Sequence, residues 1–190
     1  FATKDYGVSS DEYNARLKGF ITLNYLGEKF APEINEKFKG DKNLPKLSEA
    51  GPVKYYGPVF DSTVGFFEII FGIDDKKNQF LFKHYLNFIL FFISLIYFFK
   101  ICVIIFKEKY IAYIGVLILL FTPRILANSF YNGKDIVFMS FFIIATFYGL
   151  KFFLNQSYKN SFLFSLFSAL TIDIRIIGII LPFSIYFIIF

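Results

Sequence analysis

The chain has 190 residues, 56% of them hydrophobic, 23% aromatic and 18% charged, with a formal net charge of +5. A soluble domain carries roughly a quarter of its residues as charged side chains, so this balance excludes an ordinary soluble enzyme. The apolar content excludes disorder, and the single Cys102 excludes a disulfide scaffold. The expectation is an all-α integral membrane protein. Because Phe1 opens the chain and Phe190 closes it inside an apolar run, it is expected to be a fragment of a longer one.

Charge divides the chain in two. Residues 1–85 hold 12 Lys+Arg and 12 Asp+Glu, whereas residues 86–190 hold 8 and 3, which accounts for the whole +5. The excess falls at the ends of apolar segments, where basic residues orient membrane proteins, and no basic patch with interleaved aromatics suggests a nucleic-acid partner.

Residues 1–85 form one water-facing unit, a large first loop with amphipathic, interfacial helices. Ser9 and Glu12 have capping-box spacing, and Asp11 with Glu12 suits the positive end of a helix dipole. Tyr13, Leu17, Phe20 and Asn24 follow at helical spacing, with Leu26 and Phe30 beyond. Residues 39–58 contain Pro45, Pro52 and Pro58 and are expected to be loop. A short helix over 61–72, with Phe66, Phe67, Ile69, Ile70 and Phe71, is too apolar for a solvated face and is expected on the bilayer or on the helices beneath it.

Residues 86–190 are expected to be membrane helices, at about 86–106, 110–123, 136–154, 161–172 and 176–190. The first and third are long enough to cross, with Lys100 and Lys151 near their ends. The second has 14 uncharged residues, about 21 Å of helix against a core of about 30 Å. It must borrow flanking residues, thin the bilayer or re-enter. Pro182 is a kink candidate in the last.

If the helices alternate in direction, 1–85, 122–135 and 173–175 share one side, and 107–109 and 155–160 share the other. That second side carries Lys107, Lys109, Lys151 and Lys159 against Glu108, which assigns it to the cytoplasm and turns 1–85 outward. Ionisable groups at membrane depth are functional candidates by default. Here Arg124, Lys134, Asp135, Asp173 and Arg175 would converge on the loop that carries Asp11 and Glu12, a pattern suited to a general base beside an anionic leaving group.

The order of these motifs resembles the polyprenyl-phosphate-dependent glycosyltransferases of the GT-C type, which include protein O-mannosyltransferases and the transferase that adds aminoarabinose to lipid A. Asp11-Glu12 is similar to the Asp-Glu motif of their first outer loop. Lys54-Tyr55-Tyr56-Gly57-Pro58-Val59-Phe60-Asp61 and Lys83-His84-Tyr85-Leu86-Asn87-Phe88 resemble the end of that loop and the next helix. The run from Thr122 to Asp135 resembles the second outer loop, and the run from Leu170 to Pro182 a basic segment before a Gly and a Leu-Pro. The chain departs from the pattern at Ser10, where an aromatic is frequent, and at Asn128, near a frequent His.

The resemblance implies a GT-C-type multi-helix bundle in a bacterial inner (plasma) membrane. It would transfer a sugar, with inversion, from a polyprenyl-phosphate donor to a glycan, lipid or protein acceptor. Asp11 would be the base and Glu12 its helper or a metal or structural partner. Arg124, Lys134 and Arg175 would face the donor phosphate, with Asp135, Asp173 and His84 as site support. No cofactor beyond the lipid-linked donor is certain, and a divalent metal is left open. The plainer readings stand beside these: Asp11 and Glu12 as a helix cap with Glu12 paired to Arg16, Asp135 as a cap, Asp173 with Arg175 as a local pair, and His84 as an interfacial residue at a helix start. Two other functions fit the same segments, a transporter or flippase of lipid-linked saccharides and a noncatalytic membrane assembly partner.

Overall fold

A computed structural model describes residues 7–32, 44–51 and 57–189; Pro52, Lys54, Tyr55 and Tyr56 lie outside the described residues. All regular structure among the described residues is helical: α1 (Ser10–Phe30), a 3-10 turn (Leu47–Glu49), α2 (Val59–Phe71), α3 (Lys76–Phe106), α4 (Lys109–Phe121), α5 (Pro123–Tyr131), α6 (Asp135–Leu154), α7 (Tyr158–Ile174), a second 3-10 turn (Ile176–Ile179) and α8 (Ile180–Ile189).

The breaks have local causes. Gly72 adopts φ 61° and ends α2, and its N–H returns to the carbonyls of Glu68 and Ile69. Asp75 then caps α3 by accepting from the Asn78 N–H at 3.1 Å. Helix α3 runs 31 residues, starting ten residues before the apolar run at 86, because Lys76, Lys77, Asn78 and Gln79 are all compatible with an exposed first turn.

The 14-residue puzzle is resolved by a bend. Thr122 is extended, as a residue before proline must be, and Pro123 opens α5 at an angle of 64° to α4. Gly115 lies against Cys102 and Phe98, Tyr113 against Phe99, Phe130 on Phe88, and Asn87 donates to the Ser129 carbonyl at 2.9 Å. Pairing is therefore antiparallel from Cys102 back to Asn87 of α3, and α4 with α5 follows it as one broken traverse rather than a loop that turns back.

Helices α3 and α6 run parallel. Phe91 and Leu95 pack on Ile136 near one end, and Tyr97 meets Phe147 and Tyr148 nearer the other. Helix α7 returns antiparallel to α6, with Phe164 on Gly149 at one end and Arg175 beside Asp135 at the other. Helix α8 then runs back along α6, where Leu181 packs with Ala145 and Phe164. Among the described residues, α3 and α6 are each long and apolar enough to cross a membrane, and the bent pair passes the same test when its two helices are taken together. Their outward faces expose Ile89, Phe92, Ile118 and similar side chains, as lipid contact requires.

One end of this bundle is covered by α1 and α2, which pack on each other at Gly19, where the Asp61 carbonyl approaches too closely for any side chain. Phe60 and Val64 of α2 reach down to Val137, with Phe82, Leu86 and Ile174 around them. The outer helices are thus seated on α3, α6 and α7.

Candidate active site at the covered end of the bundle

Consecutive residues of α3 each hold an acid from the outer helices. The His84 ring lies 2.8 Å from Glu12 Oε2, and Lys83 Nζ lies 2.8 Å from Asp61 Oδ1. Lys18 of α1 takes the other Asp61 oxygen at 2.9 Å and donates to the Gly57 carbonyl at 2.8 Å. The members of the two pairs that α3 makes with α1 and α2 are buried: Glu12 and His84 are 3% and 1% exposed, Asp61 9% and Lys83 4%. Three helices are joined by this one polar network, and a buried charge persists only where it is paired in this way.

Glu12 also closes a capping box, accepting the Ser9 N–H at 2.9 Å. Burial alone would raise its carboxyl. The hydrogen bonds from His84 and Ser9 and the charges of His84 and Lys83 reverse that, holding it below the usual carboxylate range. Glu12 is therefore an ionised anchor. His84 sits well inside α3, buried, rather than at a helix start at the interface; with Nε2 serving Glu12, its Nδ1 has no hydrogen-bond partner among the described residues. Arg16 does not pair with Glu12. It donates to Glu68 of α2 at 2.9 Å and stacks over Phe20 at 4.4 Å. Burial of Glu68 outweighs Arg16, so its carboxyl is raised.

Asp11 is different. One residue earlier on the helix, it faces solvent and makes no hydrogen bond or ion pair among the described residues. Tyr13, 65% exposed, is also open to solvent rather than in the expected apolar stripe. Glu12 and Gly19, seven residues apart, share the buried face that meets α3 and α2, while Ile21 is buried on the opposite side of α1, beside Lys46, Leu47 and Ser48.

The second and third outer segments close on this region. Gly133 packs against Lys83, so the turn before α6 touches the network. Asn132 caps α6 by accepting from the N–H groups of Lys134 (3.1 Å) and Asp135 (2.9 Å), and Asp135, instead of capping, receives Asn132 Nδ2 and the Arg175 guanidinium. Arg175 thus pairs across 40 residues and not with Asp173. Asp173 accepts the Val59 N–H at 3.0 Å, which pins the start of α2 to the end of α7. Arg124, Lys134 and Arg175 are all exposed. Among the described residues, no group of three or more His, Cys, Asp or Glu side chains is arranged to hold a metal.

The described parts of 1–85, the turn before α6 and the break after α7 therefore meet at one end of the bundle, with an exposed carboxylate at one helix start and exposed Lys134 and Arg175 on the adjoining segments. A family model described as dolichyl-phosphate-mannose-protein mannosyltransferase matches residues 58–190. The chain belongs to this family. It is a membrane glycosyltransferase of the GT-C type. The matched range includes His84, Arg124, Lys134, Asp135, Asp173 and Arg175, while Asp11 and Glu12 precede it. No curated protein and no solved structure matches the chain.

Sequence reasoning gave Lys18 no role, and quoted Asp61 and Lys83 in the resembling strings without their pairing. Two signals were present: the equal count of acids and bases in 1–85, which anticipates internal pairing, and Lys83 directly before the only histidine.

Proposed function

We propose that this glycosyltransferase moves a sugar from a polyprenyl-phosphate donor to a hydroxyl of a glycan, lipid or protein acceptor, with Asp11 as the general base. The observation that carries this is the contrast among the carboxylates. Glu12, Asp61, Asp135 and Asp173 are each engaged by another group, whereas Asp11 is exposed at the first turn of α1 without a partner among the described residues. A base must be able to reach a proton, and the engaged carboxylates cannot do so without breaking their contacts.

In the proposed step the acceptor hydroxyl loses its proton to Asp11 as its oxygen attacks the anomeric carbon. The bond from that carbon to the phosphate oxygen breaks, and the electron pair leaves with the lipid phosphate. No acid is needed for a leaving group that is already a stable anion, so one carboxylate suffices where glycoside hydrolysis uses two. Exposed Arg124 and Lys134 are assigned to the departing phosphate, with Arg175 held by Asp135, the residue next to Lys134. A single in-line displacement inverts the configuration. Glu12 and His84 serve as positioning residues, because they fix the turn on which Asp11 stands. The site is assigned to the outer face of a bacterial inner membrane, on the strength of the lysine bias at the opposite end.

Asp11→Asn in the full-length enzyme should lower transfer by about 10²–10⁴-fold, the range of general-base catalysis, with expression and folding retained. Unchanged turnover would remove Asp11 from the mechanism. A purified protein that moves lipid-linked saccharide across vesicles but transfers no sugar would instead be a flippase.

A further inference from the structure

The end of the bundle away from His84 carries a second arrangement. Tyr97 of α3 and Tyr148 of α6 face each other, hydroxyl to hydroxyl at 3.2 Å, across the parallel seam. They are 51 positions apart, and so are Lys100 and Lys151, three residues on. Parallel helices in constant register put both lysines at one height, a turn beyond the tyrosines. Both ammonium groups also approach the same buried ring: Lys100 lies 5.7 Å and Lys151 6.0 Å from the Phe147 centroid, and Lys100 lies 4.9 Å from Tyr97. Neither lysine has a carboxylate partner among the described residues, and both are exposed.

Two like charges gathered on one ring repel each other unless an anion lies between them. Ring quadrupoles hold each cation but do not neutralise it. Of the two tyrosyl O–H groups, one donates to the other, which leaves the second free to donate outward. Two cations and a hydroxyl donor are the recognition set for a phosphate diester. Lys100 lies six residues before the end of α3 and Lys151 three before the end of α6, about 9 and 5 Å inside the helix ends. Lysines at this depth extend to the level of lipid headgroups.

We propose that Lys100, Lys151 and the Tyr97–Tyr148 pair bind the phosphate of one anionic phospholipid in the leaflet opposite the catalytic end. The test is native mass spectrometry of the full-length protein in detergent, titrated with phosphatidylglycerol or phosphatidylcholine. The wild type should retain one phosphatidylglycerol about 25-fold more tightly than phosphatidylcholine, since each of the two membrane-surface lysines favours anionic lipid by about fivefold. The K100Q/K151Q variant should lose the preference while keeping its transfer activity, and K100R/K151R should keep both. Should K100Q/K151Q fail to fold, K100Q and K151Q decide singly, each with a partial loss. Equal retention of the two lipids by the wild type, an unchanged preference in the glutamine variants, or displacement of the lipid by millimolar inorganic phosphate would each overturn the assignment.

Discussion

His84→Ala separates the buried pair from its catalytic neighbour. Glu12 is 3% exposed and His84 1%, so the substitution leaves an ionised carboxylate buried with the Ser9 N–H at 2.9 Å as its remaining hydrogen bond. Breaking a buried pair in this way costs about 3–5 kcal/mol. The lower end applies, because Lys83 still contributes charge and the turn opens to water at Asp11. About 3 kcal/mol lowers Tm by roughly 6–12 °C for 150–250 cooperatively unfolding residues and by less in a longer chain. The measurement is thermal unfolding of the full-length enzyme in detergent at neutral pH, followed by circular dichroism. His84→Gln keeps an N–H for Glu12 and should recover most of the loss. The pH dependence has a definite sign. Glu12 is depressed in the fold, so its stabilisation is complete above its ordinary value of 4.5 and is lost as pH falls through the lower folded value. The gap between wild type and His84→Ala must therefore narrow in acid. Glu68, raised by burial, acts in the opposite direction in both proteins and cancels from the difference. A gap under about 1 kcal/mol at neutral pH, or one that stays constant down to pH ~3, refutes the buried-pair reasoning.

Asp61→Ala leaves Lys18 and Lys83 without their shared acceptor and should destabilise by about 3–5 kcal/mol in the same unfolding assay, with Lys83, the more buried, responsible for most of it. Gly19→Ala places a methyl group 2.5 Å from the Asp61 carbonyl oxygen; α1 and α2 must part, at about 1–3 kcal/mol, whereas Gly7→Ala, with nothing within 4 Å, serves as a near-neutral control.

The membrane half was largely legible in the sequence, since apolar length alone locates α3 and α6. What it could not supply was the way 110–131 crosses. Fourteen uncharged residues are too few, and the missing length lies beyond Pro123 in a segment carrying Arg124, Asn128 and Ser129. Hydropathy rejects those residues, but Asn128 and Ser129 bond to neighbouring carbonyls within α5 and Arg124 lies exposed in its first turn. The convergence of 1–85, 122–135 and 173–175 follows from alternation and was anticipated. The pairings within it were not. Sequence neighbours suggested Glu12 with Arg16 and Asp173 with Arg175, and each is replaced by a distant partner. Local pairs are worth a few tenths of a kcal/mol in water and do not compete with burial between helices.

The division between Asp11 and Glu12 follows from helix geometry. Adjacent residues on a helix point about 100° apart, so two consecutive carboxylates cannot share one environment once a face is buried. With Glu12 and Gly19 on the one face of α1 that meets α3 and α2, Glu12 turns toward His84 and Asp11 turns out. The buried member is useful because it is unavailable: it fixes the first turn and gives up proton chemistry. The exposed member keeps its freedom to accept a proton, and it stands on a turn whose position is set one residue away. An Asp-Glu pair at a helix start can therefore be both a cap and a base, with the two functions on different residues. The helix-capping and catalytic readings of this motif, which compete when only the sequence is considered, are compatible once α3 is in place.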